Sequence, residues 1–461
     1  MVERIKMPEL PVERRLKSFD EVALGYSEEM ARVEASRCLQ CKNPPCVKAC
    51  PLNVNIPAFI RHVREGNYEK AAEIIRSSNC LPVITGRVCP YERQCESACT
   101  LGKKGEPVSI NALERFISDW ELSRGFCIPA KIPEKTKGKK VAIVGSGPAG
   151  ISAAERLALE GYEVSIFEAL HMPGGVPLYG IPEFKLPKDV LLKGLKFLDE
   201  LDVEILTNVV IGRTLTLNDL LSDGYDAIFL AIGANYPLSL GIPGENLCGV
   251  YFASEFLMRI NLMRAYKFPH ESDTPISVYG HVVVVGGGDV AIDVARCAVR
   301  LGADSVTILY RRTEKEMPAR KVEVRRAREE GVHFSFLSQP IEFIGDENGR
   351  VKAIKCIKME LGPPDETGRR RPIPIPGSEF IVDADTVIVA IGQTVNPLAL
   401  RGFPHIKLSK KGTIVVDPET LETTYSGIFA GGDAVTGSST VAMAMSTGRK
   451  AAHFIIRHLS R

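Results

Sequence analysis

One unit occurs twice in this sequence and constrains the fold more than anything else: an apolar strand, a glycine turn and a helix. Val141 to Val144 reads as a buried strand. Gly145, Gly147 and Gly150 follow at G-x-G-x-x-G spacing, with Ser146, Pro148 and Ala149 between them, and Ile151 to Ala158 carries helical periodicity. The first glycine permits a tight turn, the second lets the backbone approach a pyrophosphate, and the third lets helix close on strand. The helix N-terminus then turns its free N–H groups toward the phosphates. Glu163 to Phe167 reads as the next strand and ends on Glu168, 23 residues after Gly145, where a carboxylate accepts a ribose 2′-OH.

The second unit starts at His281. Val282 to Val285 leads into Gly286-Gly287-Gly288-Asp289-Val290-Ala291, a G-x-G-x-x-A variant, then a helix to Arg300 and a strand from Ser305 to Leu309. Tyr310-Arg311-Arg312 stands where the first unit has its acid. An acid repels a 2′-phosphate and arginine fits it bidentately, so this cradle predicts NADP rather than NAD. Two strands echo each other, Asp226 to Gly233 and Asp385 to Gly392, each ending on glycine. The echo predicts two similar dinucleotide domains in one chain.

Two further stretches predict close backbone approach to a cofactor. One is the loop Met172 to Pro182 with Gly174 and Gly175. The other is Gly431-Gly432-Asp433, ahead of a helix from about Thr440 and Val441 to His458. Asp433 suits either a ribityl hydroxyl or a helix cap. Arg325-Arg326 and Arg369 to Arg371 read as solvated, the latter in a turn of a β meander from Val351 to Phe380.

Eight of the twelve cysteines fall between Cys38 and Cys99. They are arranged C38-x2-C41-x4-C46-x3-C50-P and C89-P-x4-C95-x3-C99. Both runs carry a Cys-Pro pair as in ferredoxin-type sites, where the cysteine before proline serves the other cluster. Zinc sites favour paired C-x2-C knuckles, and one is present here. Two [4Fe–4S] clusters need eight ligands, and spacing supplies seven plus Cys80. Cys127, Cys248, Cys297 and Cys356 are scattered and read as small hydrophobes.

At 461 residues the chain suits about three domains. A net charge of +2 gives no electrostatic case for nucleic acid or an anionic membrane. No apolar run approaches ~18–20 residues, and MVERIKMPEL lacks the apolar core of a signal peptide, so a cytoplasmic protein is expected. The polar stretch Lys131 to Lys140 reads as a linker. The expected class is α/β, with two Rossmann-like domains preceded by an α-helical iron–sulfur domain. The expected divisions are 1–137 (iron–sulfur), 138–270 (first part of the first dinucleotide domain), 271–395 (second dinucleotide domain, inserted) and 396–461 (second part of the first).

Together these motifs resemble the two-dinucleotide-binding-domain flavoproteins, with the A-G-G-D-A stretch ending at Ala434 completing an FAD site. The cysteine pattern narrows this, and the chain resembles the glutamate synthase small (beta) subunit family along nearly its whole length. The same module resembles the N-terminal part of dihydropyrimidine dehydrogenase and the large subunit of NADH-dependent ferredoxin:NADP oxidoreductase. The resemblance implies FAD in the first cradle and NADPH in the second. It implies Cys38, Cys41, Cys46 and Cys99 on one cluster, and Cys50, Cys89, Cys95 and Glu114 on the other, which displaces Cys80. It also implies an oligomer with a partner, either a larger synthase subunit or a small ferredoxin-reductase-like flavoprotein, with ferredoxin as a further acceptor. No catalytic acid–base pair is expected, because hydride and electron transfer need positioning above all. Cys297 and Cys356 stand alone, without the C-x-x-C of a thioredoxin reductase. No cysteine follows Met1 and no synthase barrel is present, so the chain is expected to pass electrons onward. A non-catalytic iron–sulfur scaffold is the contrasting class.

Overall fold

The cysteine-rich part is helical because its apolar residues recur at helical spacing. Ile56–Glu65 buries Ile56, Phe59, Ile60 and Val63 on one face, and Tyr68–Arg76 answers with Tyr68, Ala71, Ala72 and Ile75. Asn67 caps the second helix through Lys70 N at 3.4 Å. Ile110–Arg124 packs across both. This computed structural model describes residues 3–124, 134–135, 137–366 and 368–460. Cys127 and part of the predicted linker lie outside the described residues. No helix among those described is long and apolar enough to cross a membrane.

Two five-stranded parallel sheets follow. In the first, Lys140–Val144 lies between Glu163–Phe167 and Ala227–Leu230, flanked by Glu204–Leu206 and Ile428–Ala430. In the second, His281–Val285 lies between Ser305–Tyr310 and Thr386–Val389, flanked by His333–Phe336 and Val250–Phe252. The two echo strands occupy the same place in each sheet, beside the strand that leads into the glycine turn. The first sheet borrows its outer strand from beyond the second domain. The second borrows Val250–Phe252 from before residue 270, and helix Ala253–Asn261 buries Phe256, Leu257 and Ile260 in that second core. A division at 270 therefore falls inside the second domain, because the outer strand is too short to stand out as a run. The two chain crossings between the domains pair antiparallel, Thr394 with Tyr236 and Gln393 with Pro237.

A three-stranded antiparallel meander, Ser338–Gly345, Val351–Pro364 and Arg370–Asp383, extends from the second domain. The helical domain is no appended bead. Leu81, Val83 and Ile84 share one continuous core with Leu157, Leu191 and Leu195 of the first dinucleotide domain.

The second domain is fixed by buried charge. Arg296, fully buried, pairs with Glu323 at 2.5 Å and Glu330 at 2.7 Å. Arg300 shares Glu330 at 2.7 Å. Burial alone would raise the Glu330 pKa, but bonds from the two arginines hold it down to about 2. Arg326, expected in solvent, is buried and held by Glu9 at 2.8 Å and Glu323 at 2.7 Å, while Arg325 reaches Glu9 and Glu329. The acids that hold this pair are Glu9, far away in sequence, and Glu323 and Glu329, one turn away on the same helix.

Replacing Glu330 by Gln leaves Arg296 short of charge in a dry site, a loss of about 3–5 kcal/mol. Hydrogen–deuterium exchange is expected to show reduced protection in Asp289–Arg300 and Lys321–Glu329, and unchanged protection there would refute this account of the domain.

Candidate functional site

The first turn is built by close approach. A Cβ on Gly150 would lie 2.0 Å from Gly145 O, so the helix Pro148–Leu159 can start there only from glycine. Gly175 has φ +59°, and a Cβ on it would lie 2.7 Å from Gly147 Cα. The Met172–Pro182 loop thus presses directly on the turn, which gives this glycine a backbone reason besides any flat ring. One cavity gathers Gly145, Ser146, Gly147, Pro148, Ala149, Glu168, Gly175, Gly432, Asp433, Thr440 and Val441; Gly150 packs beneath it. Glu168 is buried at the end of its strand. Its Oε2 accepts from Ser146 N at 3.0 Å and from Ser146 Oγ, and its Oε1 accepts from Leu170 N at 2.8 Å. Asp433 does not cap the long C-terminal helix. Thr440 does, accepting from Met443 N at 3.2 Å, while Asp433 accepts from Ser439 N and Oγ at 3.1 and 2.8 Å. Burial pushes the Asp433 carboxyl up.

A second cavity gathers Gly286, Gly287, Gly288, Asp289, Val290, Arg311, Arg312 and Gly392. The two predicted arginines part ways. Arg311 is exposed to this cavity. Arg312 is buried and commits its Nε to Arg370 O at 2.7 Å and a terminal nitrogen to Asp365 at 2.9 Å. Arg369, expected in solvent, lines the same cavity because the meander folds back over the cradle. Ser439 lines both cavities, so the two dinucleotide sites adjoin.

The thiols of Cys38, Cys41, Cys46 and Cys99 line one small cavity walled by Ile56, Ile60, Val108 and Ile110. Cys50, Cys89, Cys95 and Glu114 form a second group, each of the three thiols feeling the charge of Glu114. Burial pushes the thiols of Cys38, Cys46, Cys50, Cys89 and Cys95 up, Cys46 to about 11, and like-charged neighbours add to it. Burial also lifts Glu114 to about 7, against hydrogen bonds from Thr85 and from Asn79 Nδ2 (2.9 Å), both to Oε1. Among the described residues, no three His, Cys, Asp or Glu side chains converge tightly enough to hold a single metal ion. Each group supplies at least three thiols, the ligand type that [4Fe–4S] clusters take. Cys80 joins neither group. It is fully buried against Ser152 and Glu155 of the first cradle helix. Cys297 and Cys356 are buried as expected of small hydrophobes; Cys248 is exposed.

Three contacts had no sequence signal, and the first two join distant segments. Gln94, between Cys89 and Cys95, donates its Nε2 to Thr440 Oγ1 at 3.2 Å on the wall of the first cavity. Arg93 donates to Pro318 O and to Ala319 O at 2.9 Å, and Pro318 lines the second cavity. Lys188 holds the Met172–Pro182 loop through the carbonyls of Pro177 (3.1 Å) and Ile181.

Paired dinucleotide cradles behind a cysteine-rich helical domain define a pyridine-nucleotide oxidoreductase joined to an iron–sulfur module. Residues 139–448 match the pyridine nucleotide-disulphide oxidoreductase model, and residues 15–126 match the model of dihydropyrimidine dehydrogenase domain II, 4Fe-4S cluster. The glutamate synthase [NADPH] small chain of Escherichia coli is 40% identical over 464 residues, covering 99% of this chain and 98% of that one. The NADP(+)-dependent formate dehydrogenase subunit beta of Moorella thermoacetica is 42% identical over 438 residues, and there the match spans 90% of this chain but 60% of the relative. The structure of Mycobacterium tuberculosis FprA in complex with NADPH superposes with a TM-score of 0.59 at 22% identity over 70% of this chain and 84% of that one, which shows a shared fold. The chain belongs to the glutamate synthase small-subunit family.

Substituting Cys80 by Ala is expected to leave iron and acid-labile sulfide unchanged, whereas Cys89→Ser removes about four iron atoms per chain. Iron loss in the Cys80 variant would overturn the grouping above.

Proposed function

We propose that this chain is the electron-input subunit of a glutamate-synthase-type enzyme, oxidising NADPH and delivering electrons to a larger partner. The observation that carries this reading is the junction at Ser439 and Thr440. Ser439 lines both dinucleotide cavities, and Thr440, on the wall of the first, accepts from Gln94 in the cysteine loop. Nucleotide site, flavin site and cysteine group are thus contiguous.

The residues fit the groups. Glu168 suits the ribose of FAD, and the turn Gly145 to Gly150 with Gly432, Asp433, Thr440 and Val441 suits its pyrophosphate and ribityl chain. Gly286 to Val290, Gly392 and Arg311 suit NADPH, with Arg312 standing behind as a strut. Cys38, Cys41, Cys46 and Cys99 suit one [4Fe–4S] cluster, and Cys50, Cys89, Cys95 and Glu114 the other. Flavin in this position supplies the exchange between a two-electron hydride and single electrons that iron–sulfur clusters accept. The protein's part is placement. Gly175 brings the loop against the turn, Lys188 fixes that loop, and Val144, Val176 and Ile232 give the cavity an apolar wall.

The relatives are subunits of multi-subunit enzymes, which supports a partner subunit. A large synthase chain is the partner proposed, with an oligomeric assembly. The reduced thiolates that such clusters need support a cytoplasmic setting. The division proposed is a helical iron–sulfur unit to residue 137 and an FAD unit interrupted by the NADPH unit.

An anaerobic titration of the purified chain with NADPH, then NADH, tests this through flavin and iron–sulfur absorbance. Bleaching at a concentration of NADPH at least about tenfold below that of NADH is expected, because loss of a charged hydrogen-bonding group costs ~1.5–3 kcal/mol. Absorbance unmoved by either nucleotide would point to a scaffold instead.

A further inference from the structure

Arg311 and Arg312 are adjacent, yet the structure leaves them unequal. Consecutive residues leaving a strand point to opposite sides, and Arg312 turns into the meander. Its bonds to Asp365 and to Arg370 O pin the tip of the hairpin between Val351–Pro364 and Arg370–Asp383. Asp365 organises that tip. Its N donates to Arg369 O at 2.7 Å, its carbonyl accepts from Gly368 N at 2.9 Å, and its Oδ1 accepts from Arg369 N at 3.3 Å. The pinned tip carries Arg369 to the wall that Arg311 also lines. Among the described residues, the charged side chains on this wall are three guanidiniums and Asp289, and Asp289 already accepts from Arg320 N at 2.9 Å. Burial, then the charges of Arg312 and Arg369, lower the pKa of Arg311, as expected where cations converge before an anion arrives.

We propose that Arg369, on a hairpin outside the dinucleotide cradle, is a specificity residue that together with Arg311 grips the 2′-phosphate of NADP(H), while Arg312 and Asp365 position the hairpin. A phosphomonoester carries about −1.5 to −2 charge and three acceptor oxygens, more than one guanidinium satisfies. Arg311 reaches it from the strand end and Arg369 from the meander. Preference for a phosphorylated ribose then resides in a long-range element as much as in the cradle. This rests on the NADPH reading above and deepens it.

Isothermal titration of the flavin- and iron-loaded chain with 2′,5′-ADP and with 5′-AMP separates the two. Wild type is expected to bind 2′,5′-ADP the more tightly. In Arg369→Ala that affinity is expected to fall about 10- to 100-fold, with 5′-AMP binding unchanged and Arg369→Lys restoring part of it. Asp365→Asn, which frees the hairpin without touching the phosphate, is expected to weaken 2′,5′-ADP alone. Wild type binding the two probes equally would sink the NADPH reading itself. Wild type preferring 2′,5′-ADP while Arg369→Ala keeps that preference would refute the hairpin and leave NADPH standing on Arg311.

Discussion

The molecule depends on a ring of charge around Arg296. A guanidinium with no exposed surface is stable only while its partners hold, and here Glu323 and Glu330 hold it on two sides. The Phe184 ring covers the rest, 4.5 Å from the Arg296 guanidinium and 4.1 Å from that of Arg300. Phe184 does not belong to this domain. It comes from the segment that follows the first cradle, and its neighbour Lys185 pairs with Asp293 at 2.8 Å on the same helix. The N-terminal arm completes the joint. Val22 donates to Phe184 O at 2.9 Å, and Phe19 stacks on Tyr266 with centroids 4.3 Å apart. Arm, flavin-side loop and nucleotide helix therefore meet at one aromatic ring.

That joint matters because the covalent link between the dinucleotide domains is slight. Both crossings run through a ladder of two residue pairs, and an isolated pair of strands is marginal in water. Interfaces between domains are ordinarily polar and permit relative motion. With such a hinge, the orientation of the two cavities has to be set elsewhere, and the buried ions around Phe184 set it. Hydride transfer tolerates little error in placement, so a dry, charge-locked interface suits two cavities that share a wall at Ser439.

What was legible in the sequence is what local geometry forces. Gly145 and Gly150 announce a turn because a Cβ on either would strike a backbone oxygen, Gly147 leaves open space beside the cavity, and seven cysteines announce metal because their type and spacing are rare. Glu114 is not legible this way. It is one of several acids on a helix, and only its bonds from Asn79 and Thr85 and its nearness to three thiols set it apart. Cys80 is the converse case, since its residue type fits while its side chain lies against Ser152 and Glu155. Arg312 is drawn into bonds with Asp365 and Arg370 O, and Arg369 reaches the cavity wall, because a meander about 60 residues downstream folds back onto the cradle, a contact with no local trace. Arg326 was misread likewise, its partner Glu9 lying at the other end of the chain.

The loop between Cys89 and Cys95 brings these threads together. Gln94 reaches Thr440 beside the first cavity, and Arg93 holds the carbonyls of Pro318 and Ala319. Glu92 pairs with Arg320 at 3.2 Å, and Arg320 lies 4.7 Å over the Tyr91 ring. The turn so gripped is bonded to the second cradle, Ala319 N to Gly287 O at 3.2 Å and Arg320 N to Asp289 at 2.9 Å. A loop flanked by two thiols of one group is short, and its bonds to two other segments leave it little freedom to give. Through Thr440 and the turn at Pro318 to Arg320, it ties one cysteine group to the walls of both cavities. In a protein proposed to move electrons from nucleotide to flavin to cluster, this loop then adds to the joint at Phe184 in fixing the separations along that path.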